Sequence, residues 1–150
     1  MSLLSAASGQ SRWRGYQYFT ENKVLRTGPA GEGCFRALVA GSGEEPYAVT
    51  VDPEHPRRSV CTCPHAAGKR VVCKHIVAAY FAVFPEEAEK FYAEVLREEE
   101  EWEEYREEMN ARLVRFVRSL KRRDAQDVLL ELLDSAPDWL REQFIRDHLE

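Results

Sequence analysis

The spacing of apolar positions changes period partway along the chain. Before Cys61 it favours short extended segments. Tyr16 to Thr20 is aromatic and β-prone, Glu21-Asn22-Lys23 reads as a turn, and Val24 to Thr27 resumes extended structure. Gly28 to Gly33 has the composition of a loop. Phe35, Ala37 and Val39 then alternate with Arg36, Leu38 and Ala40. After a Gly41-Ser42-Gly43 turn, Tyr47, Val49 and Val51 alternate with Ala48, Thr50 and Asp52. A period of two puts one set of side chains on each face of a sheet. Pro53 and Pro56 close this region, since proline cannot donate to a ladder. A small antiparallel meander is the expected result.

Beyond the cysteines the pattern becomes helical. Ile76 to Phe84 is apolar nearly all round, as in a short buried helix, although periodicity alone also admits a strand. Pro85-Glu86-Glu87 reads as a fresh helix start, with acids facing the positive end of the dipole. Phe91, Val95, Trp102, Tyr105, Met109, Leu113, Phe116 and Leu120 recur in helical steps, with Glu98 at the one skipped position. That predicts a long helix over 86–120, with Lys121-Arg122-Arg123 at its negative pole. Asp124 is the expected N-cap of a helix through Val128 to Leu133, with Asp127 at the third position. Ser135-Ala136-Pro137 interrupts it, and Asp138 to Leu149 forms a last helix with Leu140, Phe144 and Ile145 on one face. The expected organisation is a flexible terminus at 1–12, a β-rich region at 13–84 and a helical region at 85–150, in the α+β class.

Charge is distributed unevenly. The net charge is −5, yet residues 1–84 carry ten Lys/Arg against six Asp/Glu. Residues 85–110 carry three against twelve, and 111–150 balance at eight against eight. The acidity therefore belongs to one segment and leaves room for a basic face in the first half. No run reaches the ~18 apolar residues of a membrane span, and no basic-then-apolar leader opens the chain. The expected setting is cytoplasmic, with no membrane partner.

Three of the four cysteines fall between Cys61 and Cys73, which is metal-site spacing and not that of a disulfide framework. Cys61-Thr62-Cys63 and Cys73-Lys74-His75 supply two pairs of ligands, each with one residue between. Three thiolates and one imidazole saturate a tetrahedral Zn2+ and leave no position for water or substrate, which points to a structural ion. His65 could compete as a ligand but reads first as an exposed loop histidine; Cys34 reads as a small buried hydrophobe, and His55 and His148 as solvated.

Cys-x-Cys, a spacer, then Cys-x-His resembles the SWIM zinc finger, as found in stand-alone bacterial and archaeal SWIM proteins. The flanks are similar too: the Tyr47–Asp52 strand, Cys63-Pro64, and His75-Ile76-Val77-Ala78-Ala79. Gly15-Tyr16-Gln17-Tyr18-Phe19 with Lys23-Val24 is similar to the strands that precede the finger in bacterial relatives. The resemblance implies a strand–strand–helix core and a role in binding nucleic acid or protein. Its hosts include Swi/Snf-type ATPases, plant transposases and recombination accessory proteins, so a helicase-type or recombination enzyme is the implied protein partner.

Arg57, Arg58, Lys69, Arg70 and Lys74 surround the ligands in sequence and are the candidate nucleic-acid contacts, with DNA favoured. Arg12 and Arg14, interleaved with Trp13 and Tyr16, add cations and stackable rings. Arg112, Arg115, Arg118 and Arg122 form a second basic stripe, read as a solvated helix face, as is the acidic run Glu98 to Glu108. No Ser/His/Asp or phosphate-loop pattern appears, so the expected function is a non-enzymatic interaction module. The competing expectation is an adaptor that docks proteins through its helical region, with Trp102 and Tyr105 as anchors and no nucleic-acid contact.

Overall fold

The computed structural model of the chain describes residues 2–43 and 45–149. It divides into two compact units, Met1–Val95 and Leu96–Glu150. The first contains a four-stranded antiparallel sheet, β1 (Val24–Gly31), β2 (Cys34–Val39), β3 (Tyr47–Val51) and β4 (Val60–Cys61), in sequential order. With them are α1 (Leu3–Ala6), α2 (Gly9–Thr20), α3 (Lys74–Val83) and the first turns of α4 (Pro85–Ser119). The α+β meander expected from the alternation is present.

The alternation sets the sheet's inner face. Ala37 and Val39 on β2, and Val49 and Val51 on β3, are buried, whereas their neighbours Leu38 and Ala48 face out. Phe35 pairs with Val51, Ala37 with Val49 and Val39 with Tyr47, so these rows share one register. Onto that face packs α3, where Ile76, Val77 and Phe81 are fully buried, each contributing about 1.5–3 kcal/mol. Its apolar stretch resolves as a helix. β1 extends through the expected loop at 28–33 to Gly31. The reversal needs only Glu32-Gly33, both at positive φ (48° and 75°), as a two-residue primed hairpin turn requires.

The N-terminal segment differs from its sequence reading. Among the described residues of the expected flexible 1–12 segment, Ser2 caps α1 by accepting the Ser5 N–H at 3.2 Å; Met1 lies outside the described residues. Leu3 is buried and Ala7 bridges to Val72, so apolar contact fixes a segment whose composition is otherwise small and polar. Tyr16–Thr20 is helical, not extended. Ser8 caps α2 by accepting the Ser11 N–H at 3.2 Å. The three-residue step from Trp13 to Tyr16 to Phe19 then stacks rings along one helix face, with Tyr16 meeting Phe81 and Phe91 at 6.1 and 5.8 Å. Helical packing thus outweighs the local β-preference of these aromatics. α2 ends where Asn22 takes φ 55°, with Lys23 N–H on Tyr18 O and Asn22 N–H on Phe19 O, a Schellman closure.

In α4, Glu86 and Glu87 occupy the first turn, and Ala88 and Phe91 are buried in the core of the first unit. In the second unit, α4 continues to Ser119 and is followed by α5 (Arg122–Ser135) and α6 (Asp138–His148). Lys121, not Asp124, occupies the N-cap of α5. Asp124 lies inside the first turn, where its charge favours the positive end of the dipole without capping it. Among its described residues no side chain of this unit is buried. No helix among the described residues is long and apolar enough to cross a membrane.

The α2–α3 contact rests on Gly15. A Cβ there would lie 2.5 Å from Val77 Cβ and 3.0 Å from Lys74 O. Gly15→Ala is expected to destabilise the first unit by about 1–3 kcal/mol through overpacking. Gly28→Ala, with nothing within 4 Å of its Cβ, should change stability by less than about 0.5 kcal/mol. Urea melts of the metal-loaded variants measure both.

Candidate metal centre

The four predicted ligands come from three places in the fold. Cys61 ends β4, Cys63 follows two residues later, and Cys73 and His75 lie at the N-cap and first turn of α3. The residues between the ligands hold the site in place. Thr62 donates its N–H to Ala48 O at 3.1 Å and accepts the Ala48 N–H on Oγ1 at 3.0 Å, clamping the first pair to β3. Ser59, which is buried, accepts the Asp52 N–H at 3.0 Å and ties the end of β3 to the approach of β4. After Cys63 the chain turns back through Ala66 and Ala67, whose N–H groups both donate to Cys63 O, and Gly68 sits at φ 71°.

All four side chains are buried, and their donor atoms lie within 4.8 Å of one another. Cys63 Sγ is 3.8 Å from Cys73 Sγ, and His75 Nδ1 is 3.7 Å from Cys61 Sγ and 3.9 Å from Cys73 Sγ. A tetrahedral ion held by sulfur at ~2.3 Å has ligand–ligand edges of about 3.8 Å. The donors therefore already sit at coordination spacing, with Nδ1 as the imidazole donor. His75 Nε2 is buried and has no hydrogen-bond partner among the described residues. The ring is held by Tyr47 at 4.7 Å and Tyr18 at 5.3 Å between centroids.

Crowding polarises the thiols. Cys73 is held well below the ordinary thiol range, first by a hydrogen bond from Cys61, then by the His75 ring and the backbone N–H groups of Ile76 and His75, with burial opposing. Cys61 is pushed up, first by its hydrogen bond to Cys73 and then by burial. The shared hydrogen bond thus favours the charge on Cys73 over Cys61. Three thiolates require a cation, which is the chemistry of a Cys3His metal site.

The other candidates separate clearly. His65 is exposed and lies outside the four-donor cluster. Cys34 is half-buried at the start of β2 instead of fully buried, with Sγ 3.9 Å from Glu32 O. His55 and His148 are exposed; Asp52 accepts the His55 N–H at 2.7 Å. Arg57, Arg58, Lys69 and Arg70 line one open groove of about 960 Å³ with Cys61. Among the described residues none of the four makes an ion pair with a carboxylate. Lys74 stands apart from that groove. It is half-buried, donates Nζ to Tyr18 Oη at 2.7 Å and lies 4.2 Å from that ring's centroid. Tyr18 also packs on the ligand His75, so Lys74 steadies the metal centre, a role that its sequence neighbours did not suggest.

Removing the metal with a strong chelator is expected to release one ion per chain and to unfold the β-rich unit. Metal binding at such sites is worth about 10–16 kcal/mol, comparable to the stability of a whole small domain. Circular dichroism with metal quantification measures this, and a spectrum unchanged after complete metal loss is the contrary result.

Residues 47–84 match the family model described as SWIM zinc finger. The matched span runs from the first residue of β3 through the Cys-x-Cys and Cys-x-His pairs to the end of α3. No curated protein and no solved structure matches the chain. With the strand–strand–helix order and the four converging donors on the same residues, the segment from Tyr47 to Phe84 is a SWIM zinc finger.

Proposed function

We propose that the ion is zinc and that the finger is a structural platform for a nucleic-acid-binding face, acting as an accessory factor to a larger enzyme. Three thiolates and an imidazole at tetrahedral spacing favour Zn2+ over ions that prefer oxygen donors. Four protein ligands saturate that ion, which supports a binding module and not an enzyme.

The observation that carries the nucleic-acid reading is the groove. The turn after β3 brings Arg57 and Arg58, and the loop between the ligand pairs brings Lys69 and Arg70, to two walls of one concavity. Unpaired cations converging on a groove are suited to tracking phosphates. Exposed Val60 on the same wall offers an apolar surface for a base or sugar. A second reading, a protein adaptor without nucleic-acid contact, draws on the helical unit. There Leu130, Leu133, Phe144 and Ile145 line an open cleft between α5 and α6.

Titration of single- and double-stranded DNA at two salt concentrations distinguishes them. Binding is expected to weaken steeply with salt, and Arg58→Ala and Arg70→Ala should each reduce the logarithmic salt slope by about 1. Lys74→Ala should instead lower stability or metal retention and leave that slope unchanged. Absence of binding at low salt, or binding indifferent to salt and to both arginines, contradicts the groove assignment and favours the adaptor.

A further inference from the structure

The long helix carries an apolar stripe that the described residues leave uncovered. Trp102, Tyr105, Leu113 and Phe116 are 64, 53, 59 and 54% exposed, and Met109 at the centre is 40% exposed. Single exposed apolar residues are ordinary, but a continuous stripe of large ones marks a contact surface.

The spacing of the stripe identifies what covers it. From Trp102 through Tyr105, Met109 and Leu113 to Phe116 the steps are three, four, four and three, the same in both directions from Met109. The symmetry continues outward to Glu98 and Leu120, each four residues further. A stripe that reads alike from both ends is self-complementary to a second copy running the opposite way. With the twofold axis at Met109, Trp102 faces Phe116 of the partner subunit and Tyr105 faces Leu113 of the partner subunit.

The charges carry the same symmetry with opposite sign. Residues 96–110 hold eight glutamates against two arginines, whereas residues 111–123 hold six Lys/Arg and no acid. A parallel pairing would set acid against acid; an antiparallel one sets each acidic half against a basic half. At about 100° per residue, Glu101, Glu108, Arg112 and Arg115 all fall on one edge of the stripe. In the antiparallel pair Glu108 comes beside Arg112 of the partner subunit, and Glu101 beside Arg115 of the partner subunit, as edge charges do in paired helices. Within one chain only Glu101 of these four has an ion-pair partner among the described residues, Arg97 at 3.8 Å. Glu98, the polar residue on the stripe, falls at the outer end, against the basic segment that follows Ser119.

We infer that the protein self-associates through residues 98–119 of α4 as an antiparallel, twofold-symmetric helix pair. The surface and its partner lie in the unit that the finger does not occupy, so the inference is independent of the nucleic-acid reading. Light scattering on the full chain, metal-loaded and at micromolar concentration in low salt, is expected to give twice the 17.3 kDa of one chain. Met109→Glu places two carboxylates at the axis and should weaken the dimer about tenfold or more. Arg112→Glu with Arg115→Glu should weaken it similarly, and adding Glu101→Arg and Glu108→Arg should restore it, since the exchange preserves complementarity only for antiparallel chains. Zinc content and helical dichroism of the variants confirm that each is folded. A monomeric wild-type chain, a dimer indifferent to Met109→Glu, or a fourfold charge exchange that fails to restore dimerisation each overturns the proposal.

Discussion

Three thiolates cannot be buried within 4.8 Å of one another, beside a neutral ring nitrogen, without a positive charge between them. The other features of the first unit act to hold that arrangement. β3 supplies a straight rail, Thr62 hooks the first ligand pair to it on both sides of Ala48, and α3 carries the second pair on its opening turn. Because α3 is buried by the sheet on one side and by α2 on another, the position of His75 is set by the packing of Ile76, Val77 and Phe81. The metal and the hydrophobic core therefore stabilise each other. Loss of the ion leaves crowded thiols, and loss of core packing leaves the ligand pairs without a common reference.

That coupling reaches the surface. Cys61 belongs both to the ligand set and to the groove lined by Arg57, Arg58, Lys69 and Arg70. The two basic pairs lie before and after the first ligand pair in sequence, so closure of the ligands around an ion would add to the backbone hydrogen bonds that hold the intervening loops together. Four like charges in one concavity repel one another. The binding energy of an ion held by the four ligands would offset that repulsion. Tyr18 performs a comparable service on the other side of the site, since its ring contacts His75 while its hydroxyl and face hold Lys74.

What sequence reveals here depends on whether function is carried by spacing or by packing. β2 and β3 were legible because a period-two pattern has a single geometric meaning once one face is buried. The ligand set was legible because its two pairs are close in sequence and chemically distinctive. α2 was not, because its aromatics have strand preference and its helical signal, the Ser8 cap with a three-residue ring spacing, is short. The separation of Lys74 from the other cations was also hidden. Its neighbour Arg70 differs from it in sequence by only four residues, but Lys74 begins a helix whose first turn faces Tyr18, 56 residues earlier. The groove's lining was foreshadowed by proximity along the chain, while its shape depends on loops that composition does not describe.

X-ray absorption at the zinc edge of the purified full chain examines the metal centre most directly. Three sulfur scatterers near ~2.3 Å and one imidazole nitrogen near ~2.0 Å are expected, at one zinc per chain and with no coordinated water. A first shell dominated by oxygen or nitrogen, or a protein that is folded and binds no stoichiometric zinc, would contradict the arrangement on which the finger and its basic groove are built.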